Sequence, residues 1–267
     1  MDDRVLLIEK RDKVAVLILN RPKNLNALNT TLKNAIIQSM NELRKDDSVW
    51  AVVITGTGRG FCSGEDLSGN AHPHNNEIPS REHRLDTLGW VGRVATAIYR
   101  TLDKPIIAAV NGVAAGAGMS ISLACDLRIG CENSRFKTVF LERNLSTDTG
   151  MSYFLPRIVG YSRACDLIYT SRFVEAAEAY RIGLLDRLVT ADRLLDEAVS
   201  LGQEIATWPP VAMQSVRRVL QQSMEASFEE QLRNETLGLI LSHRSPQDAK
   251  ESQDSFFEKR RPKFTGQ

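Results

Sequence analysis

The stretch "AAVNGVAAGAGMSISLACD", residues 108–126, decides how this chain is read. It carries a short apolar run through Gly112, Gly116 and Gly118 and then enters a second apolar run that ends at Cys125 and Asp126. A strand that leaves through glycines and opens a helix often cradles phosphate. The phosphate loop, however, needs GxxxxGK[ST] and the dinucleotide turn needs GxGxxG, whereas Gly116-Ala117-Gly118 continues into Met119, Ser120 and Ile121. Two readings remain: glycine lets backbone and helix pack closely, or it bares main-chain N–H groups toward a ligand. A second stretch, "ITGTGRGFCSGEDL" at residues 54–67, also leaves a β-like run through glycines and turns at Gly64-Glu65-Asp66. Two such turns can offer two backbone donors to one oxygen that becomes negative during a reaction.

The surrounding chain is that of an ordinary α/β protein. With 267 residues, 42% apolar and 25% charged, it can bury a large core in one domain or one domain plus an appendage. Its 34 basic and 33 acidic side chains leave a net charge of +1, so no global positive field is available for a nucleic acid or an anionic membrane. Any anionic ligand must be met locally. Cys62, Cys125, Cys131 and Cys165 lack CxxC spacing and are expected to be reduced core thiols in a reducing compartment. No His/Cys/Asp cluster has metal-ligand spacing, and no metal is expected. The start, "MDDRVLLIEKRDK", is unlike a targeting peptide, and no stretch is long and apolar enough to span a bilayer. These features predict a cytoplasmic protein that does not bind membranes.

Periodicity organises the rest. "VLLIEK" and "VAVLILN" around "RDK" predict a hairpin, and "WAVVITG" and "PIIAAVNG" predict short strands ending at glycine. "NTTLKNAIIQSMNELRK" is helical with Asn29 or Thr30 as its cap, and "DTLGWVGRVATAIYRTLD" predicts a further helix. Strands alternating with helices imply parallel βαβ units. From about Asp192 onward, helical patterns follow one another with no strand between, which divides the chain into a core at 1–191 and a helical region at 192–267. Residues 68–87 form a polar stretch without periodicity, expected to act as a lid or binding loop, with His72, His74 and His83 as surface histidines. No internal repeat or low-complexity segment is found.

Five segments, "NRPKNLNALN", "FCSGEDL", "KPIIAAVNGVAAGAGMSISLACDLRI", "TDTGMSYFLPRIVG" and "FFEKRRPKF", resemble the crotonase (enoyl-CoA hydratase/isomerase) superfamily, in its order and across nearly the whole chain. The resemblance implies a crotonase-like ββα spiral with a C-terminal helical trimerisation region, assembled as a homotrimer or a dimer of trimers. It also implies an acyl-CoA thioester as substrate, with coenzyme A a carrier on the substrate and no separate cofactor. By position in the family motifs, the N–H groups of Glu65 and Ala117 form an oxyanion hole, and a helix opening near Ala117 adds a positive dipole end there. The resemblance places Leu25, Ala27 and the 61–67 turn, including Ser63, Gly64, Asp66 and Leu67, along the coenzyme. Gly116 belongs to the oxyanion turn, and Phe256 and Lys259 are expected to reach a neighbouring subunit's site.

The sequence departs from the family's hydratases at their two glutamates: Ser120 stands at the first position and Phe140 at the second. One acid remains, Asp148 in "STDTGMSYFLPR". Locally it reads as a helix N-cap, while at this position in some family members, dienoyl-CoA isomerases and aryl-CoA dehalogenases among them, an aspartate does chemistry. A lone carboxyl beside Phe140 is expected to have its pKa raised and to become a better base. The leading expectation is double-bond isomerisation of an unsaturated acyl-CoA with Asp148 as acid/base. Hydration through Asp148 and an ordered water, nucleophilic attack by Asp148 on an aryl-CoA, and a noncatalytic acyl-CoA-binding trimer are the alternatives. Glu142 and Arg143 read as a solvated pair, Asp66 and Asp126 as braces of their turns. RNA binding through Lys33, Arg44 and Lys45 has little support in so balanced a charge.

Overall fold

The computed structural model describes residues 4–68 and 85–267. The 68–87 stretch with His72, His74 and His83 therefore lies, apart from its ends, outside the described residues. The predicted hairpin is present as β1 (Leu6–Arg11) and β2 (Val14–Leu19), paired antiparallel. Helix α1 (Thr30–Lys45) follows, and its N-cap is Asn29, whose side chain accepts the Leu32 N–H at 2.9 Å. Such a cap contributes about 1 kcal/mol over alanine.

Three strand pairs then climb through the molecule. They are β3 (Ala51–Gly56) with β4 (Gly60–Cys62), β5 (Ile106–Val110) with β6 (Val113–Ala115), and β7 (Leu127–Cys131) with β8 (Arg135–Lys137). Helix α2 (Gly89–Thr96), continued by a π turn at Ala97–Thr101, lies between the first two pairs, and α3 (Ala117–Ala124) between the second and third. After β8 come α4 (Met151–Val159), α5 (Tyr161–Thr170), β9 (Val174–Glu175), α6 (Ala176–Arg181) and β10 (Arg187–Val189). The chain ends in α7 (Leu194–Ile205), α8 (Pro210–Gln222), α9 (Phe228–Ser242) and α10 (Pro246–Phe257).

The first strand of each pair joins one sheet and the second joins another. Among the described residues the larger sheet runs β1-β2-β3-β5-β7-β10, parallel from β2 onward, and the smaller runs β4-β6-β8-β9. This is the ββα spiral: each turn of the chain adds one rung to both sheets.

Alternation along the strands divides the core in two. Leu17, Val52, Ile54, Ile106 and Ala108 face one buried cluster, with Leu32, Ile36, Met40 and Leu43 of α1 against it. Their neighbours Val16, Val53, Ile107 and Ala109 face the other, which is closed by Leu194, Ala198, Val199 and Leu201 of α7. Because residues i and i+2 share a face of a strand, a parallel sheet needs apolar residues at every position and a helix on each side. The first helix of the C-terminal run thus supplies the cover for the sheet's outer face.

Candidate active site

Strands β4 and β6 are parallel neighbours, with Cys62 opposite Ala114. That register carries two turns out of the small sheet side by side, Ser63-Gly64-Glu65 from one strand and Ala115-Gly116-Ala117 from the other. Glycine is required where they touch. Gly64 has φ +97°, and a Cβ there would lie 2.9 Å from the Ala115 carbonyl oxygen and 3.7 Å from the Ala117 nitrogen. A Cβ on Gly118 would lie 2.0 Å from the Cys62 carbonyl oxygen, so any larger residue would push α3 off β4.

The donors these turns present follow from the pairing. Leu28 N–H donates to Gly64 C=O at 2.8 Å and Asp66 N–H to Leu28 C=O at 3.2 Å, a parallel bridge centred on Glu65. Glu65's own N–H faces the other side of the chain. Ala117 is the first residue of α3, where N–H groups have no partner inside the helix. Neither amide donates to another protein group among the described residues. Two main-chain donors on adjoining turns, one of them at a helix N-terminus, are suited to holding a developing negative oxygen.

The side chains around the first turn are already engaged. Glu65's carboxylate pairs with Lys33 Nζ at 2.8 Å, and that ammonium lies 4.0 Å from the centre of the Trp90 ring. Lys33 is buried and so is no part of an exposed basic patch. Asp66 accepts from the Ser68 hydroxyl and N–H and from Arg21 at 2.6 Å, and these bonds, Ser68's first, hold its carboxyl down at about 2. Asp66 braces the turn. Ser63 N–H donates to Leu25 C=O at 3.0 Å, and buried Asn26 ties the same loop down, donating to Gly60 C=O at 2.7 Å and accepting Arg21 N–H at 2.8 Å. Leu25, buried Ala27 and the 63–66 turn therefore form one surface, with Leu67 exposed at its edge.

On the other side of the Ala117 turn, Ser120 is fully buried, and its hydroxyl lies within donating reach of Gly116 C=O at 3.3 Å and Asp148 C=O at 3.2 Å. This bond, across 28 residues of sequence, fastens the Asp148 backbone one helical turn from Ala117. Phe140 is buried in the main core cluster. Asp148 itself is half-buried, and burial pushes its carboxyl above the usual carboxylate range while the Thr149 hydroxyl, donating at 2.9 Å, pulls it the other way.

The local expectation that Asp148 caps the following helix is overturned. Helix α4 begins at Met151, its cap is Gly150, and no side chain bonds the helix N-terminus. Asp148's carboxylate is thus not spent on capping; its side-chain partner among the described residues is the neighbouring Thr149 hydroxyl. Sequence reasoning missed Thr149, a buried β-branched residue held at φ +50° ahead of Gly150 at φ +83°. Such a backbone is costly and persists where packing over-determines it, a pattern common at functional sites. Nothing in the spelling "DTG" announces it beyond the glycine.

Other expectations find their places. Asp126 accepts Ile106 N–H and Arg217 Nε, each at 2.8 Å, and braces its turn. Glu142 pairs with Lys137 at 2.7 Å, its carboxyl lowered by that bond, so the surface pair is not the one with Arg143. Cys62, Cys125 and Cys131 are buried and free, and burial pushes the thiols of Cys62 and Cys125 up to about 12. Phe256 and Lys259 sit at the exposed end of α10, where Phe256 meets Phe257 edge-on at 5.6 Å. No bond joins Lys259 to the glycine turns among the described residues. No group of three potential metal ligands occurs among the described residues, and no helix there is long and apolar enough to cross a membrane.

Comparison with known proteins places this geometry in context. A family profile described as "Enoyl-CoA hydratase/isomerase" matches residues 9–267. A "Probable enoyl-CoA hydratase" of Mycobacterium leprae is 35% identical over 90% of this chain and 82% of its own length. The "1,2-epoxyphenylacetyl-CoA isomerase" of Escherichia coli is 31% identical over 95% of both chains. Among solved structures, a probable enoyl-CoA hydratase/isomerase from Mycobacterium abscessus superposes with a TM-score of 0.87 at 33% identity, covering 97% of this chain and 98% of the other.

Proposed function

The chain belongs to the enoyl-CoA hydratase/isomerase family, and within it we propose an enzyme that moves the double bond of an unsaturated acyl-CoA using Asp148 as its single acid/base. The observation that carries this reading is Asp148: its carboxyl is raised by burial and free of any capping duty, and its backbone carbonyl is fastened by the Ser120 hydroxyl to the helix that begins at Ala117. The ionised carboxyl takes a proton from a carbon near the thioester. Negative charge moves to the thioester oxygen, where the Glu65 and Ala117 N–H groups receive it. The same carboxyl then returns the proton at another carbon. One carboxyl suffices because acid and base roles follow one another in time. Each fixed amide is worth roughly 10²–10³ in rate by analogy with other such donors.

Ser120 and Phe140 support this choice over conventional hydration. A hydroxyl whose one proton is within reach of two backbone carbonyls and a buried phenyl ring cannot supply the paired carboxylates that position and split water. Hydration through Asp148 and an ordered water is the second reading, favoured by the half-exposed carboxyl. The Leu25, Ala27 and 63–67 surface is assigned to the coenzyme A moiety of the substrate. The C-terminal region is assigned to trimer formation, alone or as paired trimers, with exposed Phe228, Leu237, Leu239 and Ile240 of α9 as its apolar surface. Phe256 and Lys259 are assigned to a neighbouring subunit's coenzyme, and the free buried thiols suit the cytoplasm.

Incubation with a panel of enoyl-CoA thioesters in deuterated water tests the reading. The native protein is expected to exchange deuterium into the acyl chain and shift the double bond without adding the mass of water, and Asp148→Asn to do neither. A hydrated product as the main outcome, or full turnover by Asp148→Asn, would remove the one-base assignment.

A further inference from the structure

A cavity lies at the far end of α3 from Ala117, between α8 and α4. It encloses about 500 Å³ and is walled mainly by apolar side chains, among them Leu123, Phe154, Ile158, Met213, Leu220 and Met224. That size and lining are those of small-molecule pockets, in which a few polar groups fix the orientation of a mostly apolar ligand. The polar groups here are cationic. Arg128, Arg157 and Arg217 line the cavity against a single carboxylate, Asp126. Arg128 is committed to Asp186 at 3.0 Å and to the carbonyls of Leu184 and Cys125. Arg157 bonds only the Tyr153 carbonyl and lies over the Tyr153 ring, with no carboxylate partner among the described residues.

Arg217 is the unusual member. It is 5% exposed, its Nε donates to Asp126 at 2.8 Å, and its Nη1 is buried without a hydrogen-bond partner among the described residues. Buried polar groups are almost always satisfied, and a guanidinium N–H is among the costliest to leave unpaired. A buried orphan donor calls for an acceptor, and Arg157, exposed and without a carboxylate partner among the described residues, adds positive charge to the same apolar lining; an anionic acceptor attached to a hydrocarbon suits both.

We propose that this cavity binds a monocarboxylate with an apolar chain, its carboxylate at Arg157 and Arg217 and its chain along α8 and α4. The site is separate from the Asp148 turn and does not depend on the reaction assigned there. Glu225, next to the cavity, does not compete for these cations, since it is held by Arg100 at 3.3 Å and by the Tyr153 hydroxyl at 3.0 Å.

Calorimetric titration of the full chain with octanoate, and in parallel with octanol and octylammonium, is the test. Octanoate is expected to saturate one site per chain and to bind at least about tenfold more tightly than octanol, the worth of one charge-assisted hydrogen bond. Arg157→Gln should weaken it by about the same factor, and Val216→Trp, which fills the cavity from an exposed position, should abolish it. These two variants keep the question open to refutation should Arg217→Met fail to fold. Equal affinity for octanol, or octanoate binding untouched by both variants, would overturn the proposal. So would displacement of octanoate by crotonyl-CoA, which would make the cavity part of the thioester site, or no binding together with dissociation of an oligomer by Val216→Trp, which would make the groove a contact between copies. Asp148→Asn protein should bind octanoate as the native does, so loss of the isomerase assignment leaves this one standing.

Discussion

The two halves of the candidate site are built on different principles. The Glu65 and Ala117 turns are made of backbone: their donors are aimed by the register of β4 against β6 and by one close glycine contact. The 138–151 segment is made of side chains and of an uncomfortable backbone, with Asp148 half-buried, Thr149 left-handed and Phe140 in the core. The first half holds charge without titrating. In the proposed reaction the second half moves the proton, and the state of its carboxyl depends on burial.

Asp148→Asn strikes the side-chain half directly. Turnover is expected to fall roughly 10²–10⁴-fold, the range of a general acid/base, measured on whichever enoyl-CoA the native protein accepts. Stability should move the other way. The folded-state pKa of Asp148 is raised, so its contribution is most favourable below the unfolded pKa and is lost as pH rises through the folded one. The asparagine variant should therefore melt at a higher temperature than native at neutral pH, and the gain should vanish in acid. A lower melting temperature at neutral pH would mean that the Thr149 bond to the carboxylate outweighs the cost of burying it.

Gly64→Ala attacks the backbone half. An added methyl against the Ala115 carbonyl at an unfavourable φ should part the two turns and cost roughly 10²–10³ in kcat, with far-ultraviolet circular dichroism unchanged. A weaker intervention is Thr149→Ala, which removes the hydrogen bond that lowers the Asp148 pKa. The acid limb of the pH–rate profile should move upward, whereas a downward shift would refute the assignment of that limb to Asp148. The smallest effect belongs to Glu65→Gln. Its carboxylate serves only an ion pair with Lys33, so kcat should change by less than about fivefold.

The same division explains what could be read in advance. The Asn29-capped helix was legible because sixteen residues show the helical period, and the hairpin and strands β3 and β5 because runs of five or six β-favouring residues end at turn signals or glycine. Strands β4, β6 and β8 have three residues each, too few to display alternation, so the spiral that repeats in the backbone leaves no repeat in the sequence. The helix at 194–205 looks like its successors along the chain, but only contacts with Val16, Val53 and Ile107 reveal it as the sheet's cover. Within the site, the glycine turns were legible through steric need. The Ser120 bond to Asp148 and the freedom of that carboxylate were not, because both arise from residues distant in sequence meeting in the fold.

Donors carried by the main chain at positions 65 and 117 have a consequence for how such a protein can drift. Every residue but proline brings an N–H to its position, so the proposed donors do not depend on side-chain chemistry at 65 or 117, only on side chains that fit there, a small one at buried Ala117. The side chains at 120, 140 and 148, a hydroxyl, a ring and a carboxyl, are where the chemistry of the proposed reaction is set. In the proposed site, then, the group that receives charge and the group that moves the proton can be altered independently of one another.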